Sequence, residues 1–158
     1  DLENTQTFEI SHPEADKGSV KISFFGTIDF GRIGEPRLTE DEVLLVASPL
    51  DIFATKLKVI IQRPSTKDYV DIIRLIKNDE SLVEALGAAS VFFGTDFSPM
   101  LSLRALSYYD DLLPPLSPSD SSFLKRQVSE ALRSLSIKGL EKPALASANL
   151  SSKEVKNL

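Results

Sequence analysis

Residues 47–77 read ASPLDIFATKLKVIIQRPSTKDYVDIIRLIK, and two helical patterns meet in this stretch at Pro64. At about 100° per residue, the first pattern gives one wide apolar stripe and a narrow solvent-facing sector. That sector contains Asp51, Thr55, Lys58 and Gln62. Lys56 and Arg63 fall outside it, two turns apart among branched apolar side chains. A cation in such a place needs a counter-charge or a ligand.

The second helical pattern supplies that counter-charge. Ser65 and Asp68 form a capping pair that starts the helix. Asp68 also projects inside the edge of the apolar stripe that Tyr69 begins, and Asp71 borders this stripe one turn later. The sequence therefore predicts a polar cluster where the two helices meet. Two interpretations stay open: a salt bridge that fixes how the helices cross, or a ligand-binding or catalytic site.

The order of these residues resembles the nucleotidyltransferase-like AbiEii toxin family, whose members are bacterial abortive-infection and type IV toxin–antitoxin proteins. The likeness extends to the predicted strand at 20–26 and to residues 104–111, and it covers roughly residues 8–135. The positions that carry it are Ala47-Ser48-Pro49-Leu50-Asp51, Lys56, Arg63, Lys67-Asp68 and Asp71.

The resemblance implies that the intact protein transfers a nucleotide from an NTP to an RNA or protein acceptor, with magnesium as cofactor and an antitoxin as partner. Lys56 and Asp71 would be catalytic, and Lys56 would contact the phosphates. Arg63 would assist on the phosphates or brace Asp68, and Asp68 and Lys67 would orient the site. No metal ligand is assigned in this chain.

The metal-binding signature of such enzymes is a Gly-Ser turn that opens a helix, followed by a strand bearing Asp-x-Asp. Gly18-Ser19 and Asp29 imitate it, but Gly31 stands in the place of the second carboxylate. The intervening residues 20–25 are also typical of a strand. Ser23 lies where many members of the superfamily carry a third carboxylate. We therefore expect the true motif upstream of Asp1, a chain that is a C-terminal portion, and no activity or cofactor for this portion alone.

Composition limits the function classes. The 158 residues carry a net charge of −5, which argues against a broad electrostatic grip on nucleic acid. A local basic groove remains compatible with this charge and would combine Lys56, Lys58, Arg63 and Lys67. No apolar run is long enough for a membrane span and no signal peptide is present, which favours a cytoplasmic protein. The absence of cysteine and the single histidine, His12, exclude Cys-based and multi-histidine metal sites.

The predicted fold class is α+β, with a short sheet remnant of a nucleotidyltransferase-like fold followed by a C-terminal helical bundle. Residues 1–48 form the β-rich segment, 49–138 the bundle, and 139–158 a weakly ordered tail. Strands are predicted at 7–10, 20–26 (a core strand) and 43–47. Helices are predicted from Pro49 with Ser48 as cap, at 81–93 ending at Gly94, at 98–113, and from a cap at Ser119 or Asp120 to about Ser136.

Two other features keep two interpretations each. Tyr108, Tyr109, Asp110 and Asp111 at a predicted helix end could stack on a base or hold a metal, or could be core filler and solvated acids. Lys125, Arg126 and Arg133 fit a solvated helix face or an RNA contact. For the whole chain, the alternative to an enzyme is a non-catalytic helical interaction module that binds a partner protein or forms a homodimer.

Overall fold

The computed structural model describes residues 5–11, 18–25 and 31–140. Within them, two small antiparallel sheets precede a group of helices, so the predicted α+β class is confirmed. The strands are β1 (Thr5–Ser11), β2 (Ser19–Phe25), β3 (Arg37–Leu38) and β4 (Leu45–Val46). The helices are α1 (Pro49–Gln62), α2 (Thr66–Lys77), α3 (Leu82–Phe93), α4 (Pro99–Ala105) and α5 (Pro118–Leu140).

The β1–β2 hairpin is amphipathic. Its register pairs Thr5 with Phe25 and Ser11 with Ser19, so alternate cross-strand pairs share a face. One face carries polar pairs such as Thr7–Ser23, and the other is apolar. The members of the apolar face are Phe8, Ile10, Val20, Ile22 and Phe24.

The prediction that residues 20–26 form a core strand was right about the strand and wrong about the core. Val20 is 64% exposed and Phe24 is 60% exposed. In the part of the chain that the structure describes, neither the helices nor the β3–β4 sheet covers the apolar face of the hairpin. Strand composition alone reports that a face is apolar, and it does not report what covers it.

The segment before α1 is mostly loop, as predicted, with one minimal sheet. β3 pairs with β4 through Arg37–Val46 and Leu38–Leu45. The strand predicted at 43–47 is therefore shorter than expected. The turn between them closes with a hydrogen bond of 2.9 Å from the Thr39 N–H to the Leu44 carbonyl.

α1 forms the centre of the bundle and contacts α2, α3 and α4. Its start agrees with prediction: the Ser48 hydroxyl accepts a hydrogen bond from the Asp51 N–H at 3.1 Å, and Pro49 occupies the first turn. The buried face consists of Phe53, Ala54, Leu57 and Ile60, each at most 2% exposed. The apolar stripe predicted from helical periodicity is thus the core of the bundle.

The next two helices begin differently. In α3 the Ser81 hydroxyl accepts from the Glu84 N–H at 3.3 Å, and Gly94 ends the helix at a φ of 51°, as predicted. At α2, Ser65 occupies the cap position but its side chain makes no capping hydrogen bond. The proposed capping pair is wrong in this respect, and the Asp68 carboxylate is directed to α1 instead.

The helix predicted at 98–113 ends much earlier, at Ala105. Leu106 and Leu112 are both buried, at 0% and 3% exposure. In a continuous helix these positions would point about 120° apart, on different faces; the chain leaves the helix at Ala105 and buries both. Tyr108, Tyr109, Asp110 and Asp111 consequently lie beyond α4 and do not form its last turn.

α5 starts one turn earlier and runs further than predicted. The Ser117 hydroxyl accepts from the Asp120 N–H at 3.1 Å, so Ser117 is the cap in place of Ser119 or Asp120. Residues 139–140 of the predicted tail belong to this helix, and the rest of the tail lies outside the described residues. Among the described residues, no helix combines the length and the hydropathy that a membrane crossing requires.

Candidate functional site

The site is a three-residue ionic cluster at the junction of α1 and α2. The Lys56 ammonium donates hydrogen bonds of 2.8 Å to Asp68 Oδ1 and of 2.8 Å to Asp71 Oδ2. Both ion pairs join the cation of one helix to carboxylates of the next. The pairing that the sequence predicts is therefore present.

Helix geometry explains why one lysine reaches two carboxylates. Asp68 and Asp71 are three residues apart, which places them on one face of α2, one above the other. Pro64 ends α1 and turns the chain so that this face meets Lys56. The cluster is graded in exposure: the side chain of Asp68 is 7% exposed, that of Lys56 is 26% and that of Asp71 is 39%.

The protonation of Lys56 results from opposing effects. Burial alone lowers the pKa of its ammonium, because a charge in a dry environment is poorly solvated. The hydrogen bonds and negative charges of Asp68 and Asp71 outweigh burial and raise the pKa above its ordinary value. Lys56 is consequently a cation at neutral pH and cannot serve as a general base there.

Arg63 occupies a different environment from the one that periodicity predicts. It is the residue that follows α1, and its side chain is 73% exposed, so it is not wedged among apolar groups. Its guanidinium lies 4.0 Å from Asp68 Oδ2. The helix ends before Arg63 because Pro64 excludes a helical conformation at the preceding residue. Arg63 is thus an exposed cation at the rim of the cluster.

The other predicted basic residues do not join the cluster. Lys67 is exposed and forms no ion pair among the residues described. Lys58 is directed away, since its ammonium donates to the Asp96 carbonyl and lies 5.8 Å from the Phe93 ring centroid. The basic groove that the net charge left open does not combine Lys56 with Lys58, because positions 56 and 58 point to nearly opposite sides of a helix.

Asp51 is the polar residue that sequence reasoning misplaced. It was assigned to the solvent sector, but it is 7% exposed. Its Oδ1 accepts hydrogen bonds from the backbone N–H groups of Ile33 and Gly34, each at 3.1 Å. The preceding loop covers it, and helical periodicity contains no information about a covering loop. The position of Asp51 within the family-like Ala47–Asp51 block was the available signal.

The described residues do not provide a magnesium site. No group of three or more His, Cys, Asp or Glu side chains that could hold a metal occurs among them. One oxygen each of Asp68 and Asp71 is already bonded to the Lys56 ammonium. Ser23, at the expected third-carboxylate position, makes a 2.9 Å hydrogen bond with Thr7 on the exposed hairpin. His12 and Asp29 lie outside the described residues.

Comparison with known proteins identifies the family. Neither the curated proteins nor the solved structures give a match. A family model described as "Nucleotidyl transferase AbiEii toxin, Type IV TA system" matches residues 3–146, which include every member of the ionic cluster. The chain therefore belongs to the AbiEii nucleotidyl transferase toxin family of type IV toxin–antitoxin systems.

Proposed function

We propose that the chain acts in nucleotidyl transfer and that Lys56 contacts the phosphates of the NTP. The acceptor of the nucleotide is an RNA or a protein, and an antitoxin opposes the reaction in the cell. Membership of the family supports the reaction class and the antitoxin. The geometry of the Lys56 cluster supports the assignment of the phosphate contact.

One observation carries this assignment: the Lys56 ammonium has a hydrogen-bond donor left over. A lysine ammonium has three N–H donors. Two of them are directed to Asp68 and Asp71, and the side chain is 26% exposed. The third donor can therefore reach a phosphate oxygen while both ion pairs persist. The carboxylates would hold the ammonium in position before the nucleotide arrives, which reduces the entropy lost on binding.

A polyphosphate needs Arg63 beside Lys56 at this site. Lys56 and the two carboxylates sum to a charge of −1, which would repel phosphate, and Arg63 brings the sum of the four groups to zero. An exposed guanidinium 4.0 Å from Asp68 is free to turn toward a phosphate and to bind two of its oxygens. Arg63 would thus add the positive charge that a polyphosphate needs, and water exclusion would strengthen both contacts.

The two carboxylates would have different roles. Asp68 is the more deeply buried and would hold Lys56 in place. Asp71 is 39% exposed and has one oxygen bonded to Lys56, so its other oxygen is accessible to an acceptor hydroxyl. A carboxylate in that position could orient the hydroxyl and accept its proton. Lys67 is left without an orienting role, because it is exposed and unpaired within the described residues.

NTP and a divalent cation are implied by the family. The described residues do not offer a ligand set for the cation. We propose that the carboxylates that hold the cation lie outside the described residues.

The test is nucleotide transfer by the protein expressed from its full reading frame. Lys56→Ala should lower transfer about 100- to 1000-fold, the range found when one stabilising donor is removed from an active site. Lys58→Ala is the matched control, because Lys58 lies on the same helix but is directed to Asp96. Equal activity of the two variants, corrected for the folded fraction, would refute the phosphate contact.

A second function is favoured by a specific observation. Both carboxylates already have the lysine as partner, so the cluster is complete as a structural lock between α1 and α2. The chain would then be a helical module that binds a partner protein or a second copy. In that case Lys56→Ala would lower stability while activity per folded molecule stayed unchanged.

A further inference from the structure

A cleft at the C-terminal end of α1 gathers all the tyrosines of the chain. The sequence contains 3 tyrosines, and Tyr69, Tyr108 and Tyr109 all line this cleft of about 440 Å³. Its volume lies within the range of small-molecule sites. The remaining lining residues are mostly apolar and come from α1, the turn between α1 and α2, α4 and the segment after α4; Arg104 and Asp111 are the charged ones.

Two of the tyrosines are fixed walls. The Tyr69 hydroxyl donates to the Ala105 carbonyl at 2.9 Å, and the Tyr109 hydroxyl donates to the Ser121 carbonyl at 3.0 Å. The two rings contact each other edge to face, with centroids 6.5 Å apart. Their polar ends are satisfied inside the protein, so these rings present apolar surface to the cleft. A ligand in the cleft would meet aromatic surface that is already ordered.

The rim of the cleft carries an exposed tyrosine ring and cationic side chains that could contact a ligand. Tyr108 is 59% exposed. The Arg104 guanidinium has no hydrogen-bond or ion-pair partner among the residues that the structure describes, and it lines the cleft. The Lys125 ammonium lies 5.9 Å from the Tyr109 ring centroid and adds a second cation beside the aromatic wall. An exposed aromatic ring next to unpaired cations favours a ligand that combines a flat ring with a negative charge.

We propose that this cleft binds a nucleobase that carries one adjoining phosphate. The base stacks on Tyr108 and packs against the apolar lining, and Arg104 binds the phosphate. Asp111, also in the lining, can accept a hydrogen bond from an amino group of the base. No member of the Lys56 cluster lines this cleft. The base–phosphate unit comes either from a free nucleotide or from an unpaired end of an RNA strand.

The experiment uses AMP as the probe and the tyrosine rings as the reporter. Because all tyrosines line the cleft, selectively labelled tyrosine gives NMR ring signals from this site alone. AMP should shift the signals of Tyr108 and Tyr109. Adenosine should bind about tenfold more weakly, since it lacks the charged contact to Arg104. Inorganic phosphate alone should leave the ring signals in place, because it lacks the base.

Matched variants locate the site. Arg104→Gln should weaken AMP about tenfold, to the level of adenosine. Arg133→Gln, at an exposed position of α5 outside the cleft, should leave AMP binding unchanged. Tyr108→Leu should weaken AMP about tenfold while Tyr108→Phe retains binding, because stacking needs the ring and not the hydroxyl. Equal effects of Arg104→Gln and Arg133→Gln, or unmoved ring signals with AMP, would overturn the proposal.

Two further arms separate this site from the proposed transfer site and identify the source of the ligand. Lys56→Met should leave AMP binding intact. Loss of AMP binding in this variant would place the ligand at the Lys56 cluster and overturn the proposed cleft site. The proposed transfer function would stand in that case. Hexaadenylate that binds about tenfold tighter than AMP would identify an RNA strand, since a neighbouring phosphate could reach Lys125. Equal affinities would identify the free nucleotide, and either result supports the cleft.

Discussion

Lys56 is the residue on which both the stability of the helix junction and the proposed chemistry depend. Removing it leaves the buried Asp68 carboxylate with only the exposed Arg63 guanidinium, 4.0 Å away, as a cationic partner. Loss of one partner from a fully buried pair costs about 3–5 kcal/mol, and the partial exposure of Lys56 reduces this to about 1–3 kcal/mol. Urea unfolding of Lys56→Ala should show a loss of that size.

A second substitution, at Asp68, tests the cause of this loss of stability. Asp68→Asn in the Lys56→Ala background should recover part of the loss, because a neutral amide is cheaper to bury than an unpaired carboxylate. A free energy of unfolding for Lys56→Ala within about 0.5 kcal/mol of the original protein would contradict the pairing.

The pH dependence of stability tests the same ammonium. The carboxylates raise the folded-state pKa of the Lys56 ammonium above its ordinary value of 10.5, so folding favours the protonated lysine. The stabilisation is therefore complete at pH values below 10.5 and is lost as the pH rises through the folded pKa. We expect the difference in the free energy of unfolding between the original protein and Lys56→Met to stay constant near neutral pH and to narrow at alkaline pH. A gap that is independent of pH would show that Lys56 gains nothing from its charge.

At the scale of elements, the contact between the loop and the start of α1 depends on Gly34. A Cβ built there would lie 2.1 Å from the Ser48 hydroxyl oxygen, which is too close for any atom pair that is not bonded. Gly34→Ala should therefore push the loop away from α1 and disturb the bonds to Asp51 and the Ser48 cap. We expect a loss of about 1–3 kcal/mol, as for other losses of a cap and a buried hydrogen bond.

Gly87 is the matched control for this substitution. It lies in α3, and a Cβ there meets nothing within 4 Å. Gly87→Ala should stabilise the protein by about 0.5–1 kcal/mol, because alanine favours the helix. A change in melting temperature of the same sign for both alanine variants would contradict the close packing at Gly34.

The elements also show how far the sequence could be interpreted. Helical periodicity and caps placed α1 and α3 well, since these signals are local. The end of α4 and the environment of Asp51 could not be predicted, because both depend on residues distant along the chain. The sequence identifies Lys56, Asp68 and Asp71 because each lies inside or at the border of an apolar stripe. Arg63 was misjudged, since a proline ended the helix before it.

For the whole molecule, the helices contain the core and the hairpin stands outside it. Leu57 is 0% exposed, whereas Phe8 on the hairpin is 51% exposed. Leu57→Ala should cost about 2–5 kcal/mol, as for other large-to-small changes in a core. Phe8→Ala should change the free energy of unfolding of the helices by less than about 0.5 kcal/mol, as measured by far-UV circular dichroism. A loss with Phe8→Ala as large as with Leu57→Ala would show that the hairpin belongs to the same cooperative unit.

The central claim is that the Lys56 ammonium, held by Asp68 and Asp71, binds a nucleotide phosphate. The most direct measurement is a crystal structure of the protein soaked with a non-hydrolysable NTP and magnesium. The account predicts a phosphate oxygen within hydrogen-bonding distance of Lys56 Nζ, with both carboxylates still bonded to it and Arg63 turned toward the phosphates. A bound nucleotide whose phosphates lie elsewhere, with the three-residue cluster unchanged, would contradict it.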